Sequence, residues 1–459
     1  MESKSNIDIL FDNAKKACAA LENYTQEQTD MLVRAIGKVV YDHKEKLSQE
    51  AVEETNVGVY SGKVAKHAAV TTNHWAYLKD KPSVGLIEED KAAGIYTFAK
   101  PLGVIACLTP MTNPTTTAVG NCMCAIKCRN AVIISPHPRA KKCTAHVTQL
   151  MNDAIIALGG PANLVQTIDE PSLQLTEELM KKADATIATG GTAMVKAAYS
   201  SGKPSYGVGP GNVQIIVDRE YDDYPLMVEQ IMRSRIYDNG MPCTGEQTII
   251  VPEEKADEII SVFQDKGSFL ITASEDVERL REFIFPNGFD GTINVAIVGQ
   301  TAEGAAKYAG IDVPEGTKLL MVQLDKHGRN EVLSREIMLP IVRFCVYKEF
   351  QQALDIATTN LLMEGAGHSS GIYSNNDQHI LEAGYQIPVG RLMVCQANNA
   401  VAGNTFTNGL DPTISIGCGS WGNNSISDNL TYKHLMNKTR VSYIIKDAPN
   451  PSADDIWSV

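Results

Sequence analysis

The sequence predicts an α/β protein with a parallel sheet of the nucleotide-binding type and a second domain of the same class. The chain has 459 residues, which is too long for one ordinary domain. Apolar, strand-like runs at residues 131–135, 164–168, 185–188 and 213–217 alternate with helical segments. Strands and helices that alternate at this spacing form right-handed βαβ units, and such units build a parallel sheet.

Three helical segments are predicted in the N-terminal half. Residues 30–54 carry apolar side chains at helical spacing with charges between them, which indicates an amphipathic helix or a pair of helices. Residues 147–158 show the same periodicity, and Gly159-Gly160-Pro161 ends that helix. A third helix is expected from residue 172 to about residue 181.

The region 221–417 repeats the alternation and predicts the second α/β domain. Strands are predicted at residues 248–251, 319–322 and 391–394. Helices are predicted at residues 255–263 and 350–359.

Two short segments lie outside both domains. Residues 82–101 resemble a hairpin, and residues 440–445 resemble a strand near the end of the chain. Unpaired strand edges favour aggregation unless they are covered. We therefore expect these segments to pair with each other and to contribute to a subunit contact.

Net charge and composition argue against some classes of binding partner and indicate a cellular location. A net charge of −13 disfavours nucleic acid or an anionic membrane as the main partner. No apolar run reaches the roughly 18 residues that span a bilayer, and the N-terminus lacks the apolar core of a secretory signal. The cytoplasm is the expected location.

The ten cysteines are expected to remain thiols in a reducing compartment. Cys122, Cys124 and Cys128 form a C-x-C-x3-C run, but its surroundings are helix-like and no second cysteine or histidine pair follows at zinc-finger spacing. We therefore predict no metal site.

Cys243 is the candidate nucleophile. It follows the small, turn-forming residues around Gly240 and precedes a β-like stretch at 247–251, which is typical of a nucleophile at a loop tip. The alternative, a small buried apolar side chain, holds for most cysteines. Three other features accompany Cys243: the turn Asn113-Pro114, the glycine-rich stretch 207–211 and the pair Gly367-His368.

A family resemblance covers nearly the whole chain. The most specific runs are PLGV (101–104), TPMTNP (109–114), SPHPRAK (135–141), GVGPGN (207–212), EGAGH (364–368) and GCGSWG (417–422). In this order they resemble the aldehyde dehydrogenase superfamily, and within it the coenzyme-A-acylating branch. They look most like acylating succinate-semialdehyde dehydrogenases and the aldehyde dehydrogenase half of bifunctional aldehyde–alcohol dehydrogenases.

The resemblance implies a division of the chain. Residues 1–81 and 102–218 would form a Rossmann-type cofactor domain, to which 418–439 would return. Residues 219–417 would form the catalytic domain with Cys243. Residues 82–101 and 440–459 would supply a small β arm for oligomerisation, giving a homodimer or homotetramer.

The resemblance also assigns catalytic roles. The Cys243 thiolate would add to the aldehyde carbonyl, and Asn113 with the Cys243 backbone N–H would stabilise the oxyanion, a donor worth roughly 3 kcal/mol. His368 matches a histidine of the acylating branch; it would take a proton from Cys243 or from coenzyme A, or only order its glycine-rich loop. Gly207 stands where hydrolytic relatives carry a glutamate that activates water. Because a thiol ionises more readily than water, this departure favours acyl transfer to coenzyme A.

The cofactor residues follow from the same likeness. Thr189, Gly190 and Gly191 lie between a strand and a helix, where backbone N–H groups can bind pyrophosphate, and Glu336 matches the glutamate that binds the nicotinamide ribose. Residues Ser135, His137, Pro138 and Arg139 occupy the region that contacts the adenosine ribose. NAD and NADP both remain open, with a slight preference for NADP.

The substrate is expected to be a short aldehyde with an anionic tail, either succinic semialdehyde or sulfoacetaldehyde. Arg343 would hold that tail in a fork, or serve as a structurally paired arginine, and Thr244 and Asn399 would line the pocket. Acetaldehyde or propionaldehyde is the alternative substrate. Two other functions stay open: hydrolytic aldehyde dehydrogenase and non-catalytic assembly protein.

Overall fold

The computed structural model describes residues 6–403, 406–446 and 448–458, and these residues form an α/β protein with three sheets. The start of the N-terminus, on which the prediction about a secretory signal depends, lies outside the described residues. The helices are α1 Asn6–Ala20, α2 Gln26–Asp42, α3 Lys44–Thr55, α4 Tyr60–Leu78, α5 Pro114–Lys127, α6 Lys141–Ala157, α7 Leu173–Lys182, α8 Thr192–Tyr199, α9 Tyr224–Arg235, α10 Ala256–Asp265, α11 Ser274–Ile284, α12 Ala302–Tyr308, α13 Phe350–Met363, α14 Asp377–Gln386, α15 Asn398–Val401 and α16 Ala453–Trp457.

The strands are β1 Gly85–Asp90, β2 Ile95–Pro101, β3 Val104–Thr109, β4 Ala131–Pro136, β5 Val165–Thr167, β6 Ala185–Thr189, β7 Ser205–Val208, β8 Val213–Val217, β9 Glu246–Pro252, β10 Ser268–Ile271, β11 Leu319–Gln323, β12 Ile341–Tyr347, β13 Ser370–Tyr373, β14 Leu392–Val394 and β15 Met436–Ser442.

The first sheet is parallel and has the strand order β5-β4-β3-β6-β7. The chain adds strands to one side of β3 and then returns to the other side, so the carboxyl ends of β3 and β6 flank a topological switch point. In open α/β sheets, ligands bind in the crevice at such a point. The predicted strands at 131–135, 164–168 and 185–188 are confirmed as β4, β5 and β6.

The predicted strand at 213–217 exists as β8, but its assignment to the first sheet is wrong. β8 pairs with β9 and β13 in the second sheet. The strand that follows β6 in the first sheet is instead the shorter β7. The chain therefore crosses between sheets at Gly209–Asn212. Periodicity along the sequence cannot reveal this crossing, because it reports that a segment is a buried strand and not which strands it pairs with.

The second sheet is also parallel, in the order β10-β11-β12-β9-β8-β13-β14. The predicted strands at 248–251, 319–322 and 391–394 correspond to β9, β11 and β14. Three strands, β10, β12 and β13, escaped prediction. β10 and β13 have only four residues each, and the apolar run of β12 is interrupted by Arg343.

The third sheet confirms the predicted pairing of the two outlying segments. β1 and β2 form an antiparallel hairpin, and β15 pairs antiparallel with β2 from Met436↔Pro101 to Ser442↔Ile95. The strand begins four residues earlier than residue 440 and ends at Ser442. Six of the seven residues of β15 are exposed.

Four N-terminal helices and α5 pack with the first sheet. Residues 30–54 form a helix pair, with α2 and α3 separated at His43. Thr25 begins α2 with a capping box, since its side chain accepts from the Gln28 N–H and Gln28 bonds back to the Thr25 N–H. Every residue of α5 is buried, so Cys122 and Cys124 are core side chains, as is the adjacent Cys128.

The segment after the second sheet returns to the first core. Leu430, Tyr432 and Leu435 belong to the same apolar cluster as β3 and β4, and the Cys128 thiol donates to the Tyr432 carbonyl at 3.2 Å. No helix in the described part of the chain is long and apolar enough to cross a bilayer.

Gly103 joins the hairpin to β3, and its surroundings leave no space for a side chain. Its φ is +127°, and a Cβ there would lie 2.2 Å from Asp184 Oδ2, the atom that accepts the Val104 N–H. Gly103→Ala is therefore expected to lower the free energy of unfolding by about 2–4 kcal/mol through backbone strain and overlap.

The matched control is Gly384→Ala, because Gly384 lies within α14 and a Cβ there has no neighbour within 4 Å. It is expected to leave stability unchanged or raise it by up to about 1 kcal/mol. Urea unfolding followed by circular dichroism measures both; equal effects of the two substitutions would contradict the assignment.

Candidate active site

The candidate site is built at the amino ends of four neighbouring parallel strands. Cys243 precedes β9, Gly211 precedes β8, His368 precedes β13 and Glu336 precedes β12. Because β12, β9, β8 and β13 are adjacent in the sheet, their amino ends meet at one edge. Residues up to 157 positions apart in the sequence, from Gly211 to His368, are brought together by this register.

Cys243 and His368 form the central pair. The Cys243 Sγ lies 3.2 Å from His368 Nε2, the thiol is partly exposed, and the imidazole is fully buried. Burial raises the pKa of Cys243 to about 12, and the charge of Glu336 adds to this effect. Burial lowers the pKa of His368 to about 3, assisted by the charge of Arg391. Both shifts favour the neutral forms at pH 7, a thiol beside an imidazole, over a thiolate–imidazolium ion pair.

The second nitrogen of His368 is also engaged. Nδ1 lies 3.0 Å from Ser369 Oγ, which accepts from Asn398 Nδ2 at 3.1 Å. When Nδ1–H donates to Ser369, Nε2 is free to accept the Cys243 proton, and the Ser369 hydroxyl can serve as the acceptor for that tautomer. The His368 carbonyl accepts from Arg391 at 2.8 Å, which fixes the backbone of the loop.

Asn113 lies at the carboxyl end of the first sheet, after β3, where it is the N-cap residue of α5 with Pro114 at the first helical position. Its Oδ1 accepts from Lys66 Nζ at 2.6 Å, which fixes the amide so that Nδ2 remains the available donor. The positive charge of Lys66 lowers the pKa of Cys243, so the lysine interacts with both residues. This arrangement suits the expected oxyanion role of Asn113.

Glu336 and Gly211 hold the loop of the nucleophile. Gly211 N–H donates to Glu336 Oε1 at 3.2 Å. A Cβ at Gly211 would lie 1.8 Å from the Cys243 carbonyl oxygen, so only glycine permits this approach. Burial and the neighbouring Glu364 charge raise the pKa of Glu336 to about 8. Glu336 therefore lies near Cys243, and its binding of the nicotinamide ribose remains a prediction.

Helix α8 packs closely against Gly207 and leaves no space for a side chain at that position. A Cβ there would lie 2.4 Å from Val195 Cγ1 and 2.9 Å from Tyr199 Cε2, both on α8. The Gly207 N–H donates to the Tyr199 hydroxyl at 2.9 Å. The space into which a longer side chain would extend is thus filled by α8. Glu246, the acidic residue near Cys243 in sequence, is fully buried and accepts the Asn398 N–H at 2.7 Å.

The N-terminus of α8 is open for a phosphorylated cofactor. Thr189 ends β6, Gly191 is the N-cap residue of α8, and a Cβ on Gly191 would have no neighbour within 4 Å. A Cβ on Gly190 would make only an ordinary contact with Met194. Backbone N–H groups at such a helix end favour anions. The geometry suits pyrophosphate binding there.

The loop at residues 135–139 is divided between core and surface. The Ser135 hydroxyl is buried and bonds Thr176 Oγ1 at 2.8 Å, so its side chain is not on the surface. His137 is half-buried, and Pro138 and Arg139 are exposed. Arg139 Nη2 donates to the Thr55 carbonyl at 3.0 Å. Three of the four predicted residues therefore remain available to an adenosine ribose.

The expectation that Arg343 grips the substrate tail is wrong. Its side chain is fully buried in β12. Nη1 donates to Gln247 Oε1 at 2.5 Å, and Nη2 donates to Asn212 Oδ1 at 3.2 Å and to the Arg335 carbonyl at 3.1 Å. A buried guanidinium whose donors bind core acceptors is a structural residue. The structurally paired arginine, the alternative at the sequence level, is what the structure contains.

Thr244 and Asn399 are brought together. The Thr244 hydroxyl donates to Asn399 Oδ1 at 2.8 Å, and the neighbouring Asn398 donates to the Thr244 carbonyl at 2.6 Å. The pair adjoins the loop of Cys243. Their proposed contact with substrate remains a prediction.

Sequence reasoning missed Lys66, Ser369 and Arg391. Lys66 lies on α4, a helix that the sequence analysis does not predict, and a lysine on a helix is usually a solvated side chain. Ser369 adjoins the predicted His368, so adjacency was its one sequence signal. Arg391 was predicted only as part of a strand, although its side chain reaches the His368 loop.

A thiol–imidazole pair at the amino ends of one parallel sheet, an asparagine held by a lysine after β3, and an uncrowded helix N-terminus after β6 are typical of a nucleotide-dependent enzyme with a thiol nucleophile. The aldehyde dehydrogenase family model matches residues 1–285. The chain belongs to the aldehyde dehydrogenase family, as the sequence motifs predict.

Individual relatives agree. The chain is 47% identical over 457 residues to the succinate-semialdehyde dehydrogenase (acetylating) of Clostridium kluyveri, with 100% of each chain covered. It is 41% identical over 449 residues to the sulfoacetaldehyde dehydrogenase of an Acholeplasma species, covering 97% of this chain and 92% of that protein.

The fold agrees as well. The crystal structure of an acetylating aldehyde dehydrogenase from Geobacillus thermoglucosidasius superimposes with a TM-score of 0.91 at 33% identity, covering 97% of this chain and 98% of that one. The predicted fold class is confirmed.

The raised pKa of Cys243 predicts slow alkylation of the free enzyme. Because burial favours the neutral thiol, the thiolate fraction is small at pH 7 and rises about tenfold with each pH unit below the pKa. The rate of inactivation by iodoacetamide is therefore expected to keep rising from pH 7 to pH 10. Mass spectrometry, with Cys243→Ser as the control, identifies the labelled thiol. A plateau near pH 8 would show that Cys243 titrates as an ordinary or activated cysteine.

Proposed function

We propose that this protein oxidises a short aldehyde with an anionic tail to its acyl-coenzyme A, with NAD(P)+ as hydride acceptor, through a thioester on Cys243. The observation that carries this proposal is the 3.2 Å contact between Cys243 Sγ and His368 Nε2 together with the filled space beside Gly207. The first supplies a nucleophile with a proton acceptor, and the second excludes the carboxylate that would activate water.

The first half of the reaction uses the neutral pair. As Cys243 attacks the aldehyde carbonyl, its proton passes to His368 Nε2, so no isolated thiolate has to exist in the buried site. Negative charge develops on the carbonyl oxygen, where Asn113 Nδ2 and the Cys243 N–H are the proposed donors. NAD(P)+ would be held at the N-terminus of α8 by Thr189, Gly190 and Gly191 and by Glu336, and it would supply the hydride acceptor through which the adduct on Cys243 becomes the thioester.

The second half transfers the acyl group. Before the second half, His368 releases the first proton to solvent, which frees Nε2. The coenzyme A thiol then attacks the thioester carbon, and its proton goes to the freed imidazole. As the bond to Cys243 breaks, the departing sulfur takes that proton and the acyl-coenzyme A is released. Water lacks such help, since no carboxylate projects from position 207 and Glu246 is bonded within the core. The acyl acceptor is therefore a thiol.

The proposal also specifies the anionic group of the substrate and the choice between NADP and NAD. The two relatives reported above are a succinate-semialdehyde and a sulfoacetaldehyde enzyme, so a carboxylate or a sulfonate on a two- or three-carbon chain is favoured. Arg139 is exposed beside the carboxyl end of β4, where a guanidinium can bind a 2′-phosphate bidentately. This favours NADP.

The test is reduced-cofactor absorbance with succinic semialdehyde, sulfoacetaldehyde or propionaldehyde, with NADP+ or NAD+, and with or without coenzyme A. Sustained turnover is expected only with coenzyme A, and mass spectrometry is expected to find the acyl-coenzyme A. His368→Ala is expected to lower turnover by about 10²- to 10⁴-fold, because a positioned acid–base is lost. Equal turnover without coenzyme A, with a free carboxylate as product, would make the enzyme hydrolytic.

We also propose that the enzyme works in the cytoplasm as a homodimer or homotetramer joined through its β arm. β15 lies at the edge of its three-stranded sheet, and the residues just after it, Tyr443 and Ile444, are 61% and 85% exposed. Exposed apolar residues beside an open strand edge favour pairing with another chain.

Light scattering after size-exclusion chromatography tests the assembly. The protein is expected to elute as a dimer or tetramer, and Ile444→Lys is expected to shift the equilibrium toward monomer at least tenfold, since a charge then replaces buried apolar surface. A wild-type monomer at micromolar concentration would contradict the assembly.

A further inference from the structure

Two lysines on α4 lie in the interior beside the expected oxyanion donor. The side chains of Lys63 and Lys66 are 4% and 14% exposed. Lys63 Nζ donates to the Thr112 carbonyl at 3.0 Å, and Lys66 Nζ donates to Asn113 Oδ1 at 2.6 Å. Both therefore point toward the turn between β3 and α5.

The negative charge that faces the two lysines does not balance their positive charge. Among the described residues, Asp238 is the one acidic side chain in an ion pair with either lysine, at 3.8 Å from Lys63 and 3.7 Å from Lys66. These distances are too long for hydrogen bonds, and Asp238 Oδ1 instead accepts the Val59 N–H at 2.7 Å. Two cations face one carboxylate, which leaves an excess of one positive charge.

This excess is costly in the free protein. Burial lowers the pKa of Lys66 and lowers that of Lys63 to about 8. A buried ammonium is stable when it is paired and hydrogen-bonded. An anion that entered beside Lys66 would restore the balance, and Lys66 is the more exposed of the two lysines.

The excess charge also lies close to the reacting atoms. Lys66 contacts Asn113 directly, and its charge lowers the pKa of Cys243. Asp238 lies on the segment that leads to Cys243, five residues before it. If Asn113 holds the carbonyl oxygen as proposed, its contact with Lys66 places the ammonium beside the reacting group, where the anionic end of a tail of one or two methylene groups would be its partner.

We propose that Lys66, backed by Lys63, is the cationic site that binds the carboxylate or sulfonate tail of the aldehyde, in the role that Arg343 cannot fill. The inference rests on the proposed function and specifies its substrate class. It makes Asp238 the residue that limits the positive charge of the site.

The experiment compares two aldehydes with the same four-carbon chain, succinic semialdehyde and butyraldehyde. Lys66→Gln removes the charge and retains an N–H donor for Asn113. The ratio of kcat/KM for succinic semialdehyde to that for butyraldehyde is expected to fall about tenfold or more, because a charge-assisted hydrogen bond is lost with one substrate alone.

Asp238→Asn is the matched control variant, with an expected effect opposite to that of Lys66→Gln. Asparagine retains an oxygen for the Val59 N–H and tolerates the left-handed backbone at this position, where φ is +50°. The substitution removes the negative charge that competes for the lysines. The same ratio is therefore expected to rise, about three- to tenfold, opposite in sign to the effect of Lys66→Gln.

An equal fall of kcat/KM for both aldehydes in Lys66→Gln would overturn the inference, because it would show that Lys66 only orients Asn113. Unchanged ratios in both variants would also overturn it. Calorimetric binding of succinate, expected to weaken about tenfold in Lys66→Gln, tests the site without turnover. Absence of coenzyme-A-dependent oxidation of succinic semialdehyde, sulfoacetaldehyde and butyraldehyde alike by the wild type would instead refute the proposed function, and the succinate titration would still decide the inference.

Discussion

The close approach of Gly211 to Cys243 is the contact on which the rest of the site depends. The two backbones meet where β8 and β9 begin, and no Cβ fits between them. The Gly211 N–H is held by Glu336, at the start of β12. Next to β8, β13 begins just after His368, whose ring meets the Cys243 thiol. The pairing register of four strands thus sets the positions of the thiol, the imidazole and the carboxylate.

Burial then determines the electrostatics of the site. The same packing that orders Cys243 and His368 removes them from water, which makes both of them neutral. Under the proposed mechanism, charge would develop only as the carbonyl is attacked, in a region where fixed donors and lysines can act without reorganisation. The absence of a side chain at 207 fits this arrangement, because α8 fills the space into which one would extend. An acyl acceptor that brings its own acidic thiol suits such a site.

Sequence reasoning succeeded where a property is local. Strand-like runs and glycine stops identified β4, β6, β9 and the hairpin, since burial and turn formation are read from neighbouring residues. It failed where pairing decided the outcome. β8 looked like the next strand of the first sheet and joined the second. Arg343 looked like a ligand-binding cation near a motif, whereas its strand runs through the centre of a sheet and buries it.

The sequence by itself determined the fold class and the family, and it named Cys243, Asn113, His368 and Glu336 as candidate site residues, because these predictions depend on residue types in a fixed order. The tertiary structure decided which groups interact. It placed Lys66 on Asn113 and Ser369 on the imidazole, and it assigned Arg343 to the core. The physical reason is that ionisation and hydrogen bonding depend on burial and on partners far away in the chain, which strand register and helix packing bring together.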